Sequence, residues 1–198
     1  MNKDILVCGV GGQGTVLASK LIASAAMNLG YTVHSAETIG MAQRGGCVTS
    51  HIRIGAKAYS PLIPHGSADI ILAFEPAEAV RNLAYLKKGG LVIVNNVPVK
   101  PVTESLNDTG YDGQDMLTYL QSKCECIIVD AKKLCGDFGS TRYFNVAILG
   151  VAAGSGRLGL DGQTILAEIE TRVPAKFAET NKAAFTAGVE YSAADHRQ

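Results

Sequence analysis

The segment with the clearest chemical potential is Gly9-Val-Gly-Gly-Gln-Gly14. Its Gly-x-Gly-x-x-Gly spacing lies between an apolar run and an amphipathic stretch, the context a dinucleotide fingerprint requires. Gly9 permits a tight turn, Gly11 lets main chain or a phosphate approach, and Gly14 lets helix and strand pack. Amides at the helix start, from Thr15 onward, would then face an anion along a favourable dipole. Gly12 adds a further glycine, and Gln13 brings an amide able to hydrogen-bond from its tip. Glu37, 23 residues after Gly14, is the nearest acid that could hold a ribose hydroxyl. A second reading stands beside the nucleotide one: the loop shapes a tight turn and docks against another subunit.

The second constellation is Gln43-Arg44-Gly45-Gly46. Arg44 carries a planar fork suited to carboxylate or phosphate, and the flanking glycines let main chain approach whatever it holds. Cys47 beside it reads as a small packed residue. His51 and Arg53 alternate with Val48, Ser50, Ile52 and Ile54, which gives a strand with one polar face near an edge or an interface. His51 is a candidate proton-transfer group, with a hydrogen-bonded strand histidine as the alternative. Glu75 and Glu78 flank a helix start, where carboxylates favour the dipole without catalysing anything. No Ser/His/Asp set, catalytic carboxylate pair or H-E-x-x-H helix can be assembled, so the chain is under-equipped as an independent enzyme.

The elements that position these residues follow from periodicity. Apolar runs at 5–8, 68–74 and 91–94 read as strands covered on both faces. Residues 31–35, 48–54 and 124–129 read as further strands. Helices are expected over 15–29, 77–88, 112–122, 141–153, 164–172 and 175–192, the second ended by Lys87-Lys-Gly-Gly90. The opening is a βαβ unit of about 35 residues. Alternation of this kind predicts an α/β, Rossmann-like three-layer sandwich with a mostly parallel sheet and a C-terminal helical segment at about 161–192. The 198 residues are expected to form a single domain, 1–198.

Composition excludes several classes. Eighteen basic and eighteen acidic residues cancel, which argues against a nucleic-acid grip. No apolar run reaches about 18 residues, so no membrane span is expected, and the residues before the first strand give no expectation of a secretory signal. Five cysteines, Cys8, Cys47, Cys124, Cys126 and Cys135, read as reduced thiols of a cytoplasmic protein. No C-x2-C pair occurs, so no metal site is expected on this chain.

Several ordered motifs together resemble the gamma-type chain of the 2-oxoacid:ferredoxin oxidoreductases. They are Gly9–Gly14, Glu37-Thr-Ile-Gly-Met-Ala-Gln-Arg-Gly-Gly46, Ser50-His-Ile-Arg-Ile-Gly55, Ser60-Pro-Leu-Ile-Pro64 and Ala68-Asp-Ile-Ile-Leu-Ala-Phe-Glu-Pro76. The likeness is greatest to the small beta-subunit branch of the indolepyruvate enzymes and spans roughly residues 1–190. It implies a Rossmann-like domain beside a large partner subunit. That partner carries thiamine diphosphate, Mg2+ and the [4Fe–4S] clusters. The complex would decarboxylate a 2-oxoacid, pass electrons to ferredoxin and hand the acyl group to coenzyme A. No cofactor is expected to bind tightly to this chain alone, and a homodimer of the isolated chain is plausible. The resemblance turns the loops at Gly9–Gly14 and Glu37–Gly46 toward the partner and its active site, with Arg44 as polar anchor. A stand-alone dinucleotide- or flavin-binding oxidoreductase, and a purely structural assembly subunit, are the competing readings.

Overall fold

A computed structural model describes residues 1–40, 45–56, 59–100 and 110–195. Gln43 and Arg44 lie outside the described residues. Among the described residues six strands form one sheet: β1 (Lys3–Val10), β2 (Val33–Ile39), β3 (Cys47–Ile54), β4 (Ala68–Ala73), β5 (Leu86–Asn95) and β6 (Glu125–Val129). Their spatial order is β2-β3-β1-β4-β5-β6. The run β1-β4-β5-β6 is parallel, while β3 is antiparallel to both β1 and β2. The sheet is therefore mostly parallel, as the alternating pattern predicts.

Helices cover both faces. On one side, α1 (Thr15–Asn28), α5 (Phe144–Gly154), α6 (Gly162–Arg172) and α7 (Ala178–Asp195) enclose Ile5, Val7, Ile52, Ile70, Leu72 and Ile93. On the other, α2 (Pro76–Arg81) and α3 (Gln114–Lys123) cover Leu6, Cys8, Ile71, Val92 and Val94. A short α4 (Ala131–Cys135) follows β6. Strand residues alternate between the two cores because successive side chains point to opposite faces.

Helix α5 is buried nearly all round, as its almost unbroken apolar sequence requires. It crosses α7 so closely that a Cβ on Gly150 would lie 2.0 Å from the Phe185 carbonyl oxygen, and one on Gly188 2.0 Å from that of Ala147. The C-terminal helices thus pack on the central helix as part of its surroundings.

Three expectations are corrected. The opening is not a simple βαβ unit, because β3 inserts antiparallel between β1 and β2. Tyr31 and Thr32 precede β2, which begins at Val33 and continues through Glu37 to Ile39. The helix expected over 77–88 ends at Arg81, and after a 3-10 turn at Leu83–Tyr85 the lysines 87 and 88 belong to β5. There β4 advances from Ala68 to Ile70 while β5 advances from Leu86 to Leu91. The extra residues bulge outward, with Gly89 at φ 73° and Lys87 paired to Asp69. The Gly-Gly pair that resembled a helix stop serves the bulge.

Candidate functional site

The C-terminal ends of β1, β4, β5 and β6 open onto a cleft of about 440 Å³. Gly12, Gln13 and Gly14 form one wall, Phe74 and Asn95 lie at the strand ends, and Lys132, Arg142 and Asn145 complete the rim. This is where open α/β sheets place ligands. Both cations are exposed. Asp130 caps α4 by accepting from the Lys132 and Lys133 amides at 2.9 and 3.0 Å, which holds its carboxyl below the ordinary range.

The glycine loop is held from below. The Gln13 Oε1 accepts from the Val10 amide at 2.8 Å, and its Nε2 donates to the Phe74 carbonyl at 2.9 Å. Asn95 donates to the same carbonyl at 3.1 Å and accepts from the Val97 amide at 3.2 Å. Gly9 lies under this arrangement: a Cβ there would meet Gln13 Oε1 at 2.7 Å, Phe74 Cβ at 2.8 Å and Thr15 Cγ2 at 2.9 Å. Gly14 precedes α1 at φ 84°, the first turn of that helix carries no acid, and among the described residues no side chain caps it. Partial positive charge at the helix start therefore faces the cleft side of the loop.

The sequence-selected residues separate into groups. Gly12, Gln13 and Gly14 line the cleft, while Gly9 and the buried Thr15 support it. The Gly11 amide donates to the Gly46 carbonyl at 2.8 Å, so the first loop is stitched to the returning end of the second beside Gly45. Glu37 is exposed on β2, two strands from β1, with its Oε1 3.5 Å from the Ser19 hydroxyl; it does not line the cleft. It also sits inside its strand, where the expectation put it past the end. Cys47 is exposed at the start of β3, against the expectation of a packed residue.

His51 is buried in mid-strand on the α2/α3 face, opposite Leu6. Its Nδ1 accepts from the Ile63 amide at 3.2 Å, and its ring meets Tyr85 edge-on at 5.3 Å. Burial lowers its pKa. Arg53 grips Asp4 with two bonds, at 2.9 and 3.3 Å, and donates to the Ser60 and Leu62 carbonyls at 3.1 and 3.4 Å. The polar face of β3 thus belongs to an interior strand. Its residues hold the Ser60–Pro64 connector.

Sequence reasoning missed Asn95, Lys132, Arg142 and Asn145. A signal existed for Lys132, since Asp130 after a strand is a legible helix cap. Asn145 sits inside an apolar helix and gives no such sign.

Comparison with known proteins settles the kinship. Residues 4–191 match the family model for pyruvate ferredoxin/flavodoxin oxidoreductase. The chain belongs to that family. It is 37% identical to indolepyruvate oxidoreductase subunit IorB of Thermococcus kodakarensis, over 94% of each chain. It is 31% identical to the pyruvate/ketoisovalerate oxidoreductases common subunit gamma of the same organism, over 76% of each. Among solved structures, the keto/oxoacid ferredoxin oxidoreductase gamma subunit of Geobacter sulfurreducens superposes with TM-score 0.73 at 25% identity, covering 97% of this chain and 99% of that one. A 2-oxoglutarate:ferredoxin oxidoreductase from Magnetococcus marinus, with 2-oxoglutarate, coenzyme A and succinyl-CoA bound, matches 98% of this chain over 31% of its own length. It has TM-score 0.73 at 19% identity and shares the fold.

The oxidoreductase family implies iron–sulfur and thiamine chemistry. Among the described residues no group of three or more His, Cys, Asp or Glu side chains is placed to hold a metal ion. Burial pushes the Cys135 thiol up to about 11 and Cys126 to about 12, and raises Cys8 and Cys124 as well. Those four thiols do not fit a cluster, which needs thiolates gathered at one point. The cleft fits an anionic ligand better: it combines a helix start without an acid, two exposed cations and a glycine wall. No helix among the described residues is long and apolar enough to cross a membrane.

Proposed function

We propose that this chain is the small subunit of an indolepyruvate- or arylpyruvate-type 2-oxoacid ferredoxin oxidoreductase. It is inactive alone and active beside a large cytoplasmic partner. The partner carries thiamine diphosphate, Mg2+ and the [4Fe–4S] clusters, and ferredoxin takes the electrons from the complex. The single observation that carries this reading is the strand-end cleft, walled by the glycine loop, in a chain whose relatives are subunits of such enzymes.

The cleft would receive the phosphate-bearing part of coenzyme A, the acyl acceptor. The α1 amides, Lys132 and Arg142 would hold it by charge and dipole. Arg44, on the second loop, would anchor a substrate carboxylate or coenzyme phosphate. The partner would cover the two stitched loops, and the chain by itself would fold as a single domain able to self-associate.

The test is co-expression with the large subunit, followed by arylpyruvate-dependent reduction of a low-potential viologen with thiamine diphosphate and coenzyme A. Activity requiring both chains is expected. Arg44→Ala should lower turnover of the complex while the isolated chain still folds. A chain that forms no complex and binds NAD or flavin tightly would establish the stand-alone oxidoreductase instead. Cleft and loop variants that alter assembly but never turnover would leave a structural subunit.

A further inference from the structure

We infer that Gln13 is a positioning residue, which sets the glycine loop against the cleft by bracing the ends of two parallel strands, β1 and β4, rather than by touching ligand. The inference rests on the reading that the cleft receives coenzyme A.

The Phe74 carbonyl, at the end of β4, collects two side-chain donors. Gln13 reaches it from the β1–α1 turn and Asn95 from the end of β5. The other end of the Gln13 amide accepts from Val10, the last residue of β1. One planar group therefore joins β1 to β4, and Asn95 extends the brace to β5 and, through Val97, to the cleft wall. The Gln13 amide N–H also donates to the Val10 carbonyl at 3.2 Å, so side chain and main chain hold the same turn. The arrangement is tightly packed, as the space above Gly9 shows.

Chemistry explains the residue type. The site asks for an acceptor and a donor on one rigid group at the end of a two-methylene stem. Glutamine supplies both; ionised glutamate offers only acceptors, and methionine has no donor. With both ends of its amide engaged on main chain, Gln13 acts through the backbone it holds. Above it, Gly12 at φ 98° and Gly14 at φ 84° carry no side chain that could anchor the loop. Among the described residues, the Gly11 to Gly46 bond also ties this loop.

The experiment uses the two-subunit complex and measures kcat and the KM for coenzyme A, together with amide exchange at Val10 in the isolated chain. Gln13→Met keeps similar bulk and removes both side-chain bonds. It should raise the KM about tenfold, more than it lowers kcat, and speed exchange at Val10. Gln13→Glu should resemble wild type only where the pH is low enough to protonate its carboxyl, ordinarily about 4.3, because the protonated acid then donates to Phe74. Its KM should rise toward the methionine value as pH increases and its ionised oxygens face the carbonyl. A Gln13→Met complex with wild-type KM, or a Gln13→Glu complex with wild-type KM at every pH, would overturn the inference. A wild-type complex with no dependence on coenzyme A would instead overturn the functional reading. The Val10 exchange still decides the brace: unchanged protection in Gln13→Met would sink it independently of activity.

Discussion

The polar pair Gln13–Asn95 and the polar pair His51–Arg53 both hold main chain, and they differ in what lies above them. Gln13 and Asn95 grip the ends of β1, β4 and β5, and the space over them opens as a cleft. His51 and Arg53 grip the Ser60–Pro64 connector, which covers the space over β3. Gln13, His51 and Arg53 are residues the sequence singles out; Asn95 is not. Both pairs spend their polar groups on backbone, because a buried or half-buried amide N–H or carbonyl left unpaired is costly. The difference shows that a polar constellation marks a place where the chain needs support. Whether that place is also a binding surface depends on what the remaining chain covers.

Substitutions sharpen this comparison. The largest expected effect is Gly9→Ala, whose Cβ would press on Gln13, Phe74 and Thr15. A loss of about 3 kcal/mol in denaturant unfolding is expected from overpacking of this kind. Full stability in that variant would show that the cleft floor is looser than its geometry. Next comes His51→Leu, which removes the acceptor of the buried Ile63 amide. It should lower stability by about 2 kcal/mol and change the KM for coenzyme A little in the assembled enzyme. A change in KM larger than the change in stability would make the connector side part of the site.

Smaller effects separate the two clusters by charge and by pH. Arg142→Ala and Lys132→Ala should each raise the KM for coenzyme A by about threefold at low salt, with less effect at high salt, because both cations are exposed. Equal kinetics in the double variant would remove them from the binding surface. The smallest effect is the pH response of His51. Its folded pKa is lowered by burial from an ordinary 6.5, so the unfolded chain binds the proton more readily. Its contribution is present above that ordinary value and fades as pH falls through it toward the lower folded value. His51→Asn keeps an acceptor near Ile63 without titrating and should flatten the stability loss below about pH 6.5. An unaltered pH slope would mean that other groups carry it.

Much of the fold was legible because short-range rules govern it. The buried strands at 5–8, 68–74 and 91–94 announced themselves as apolar runs, and helix α1 by its spacing and the glycine after it. The error over 77–88 has a local cause: Lys-Lys-Gly-Gly suits a helix end as well as a bulge, and only the register of β5 on β4 distinguishes them. The insertion of β3 between β1 and β2 was hidden for a different reason. A strand's own pattern states which faces are buried and is silent about which neighbour it pairs with. That insertion placed Glu37 two strands from β1, on the exposed edge.

The site divides in the same way. The chain's own order of residues determined a glycine turn between strand and helix and a kinship carried by motifs from Gly9 to Pro76. Those properties depend on neighbours a few positions apart. Tertiary structure decided that Gln13 faces Phe74, 61 residues away, and that Asn145 and Arg142 border the same cleft. It also decided that His51 supports a connector. Contacts between distant segments depend on strand order and layer packing, which no local spacing encodes.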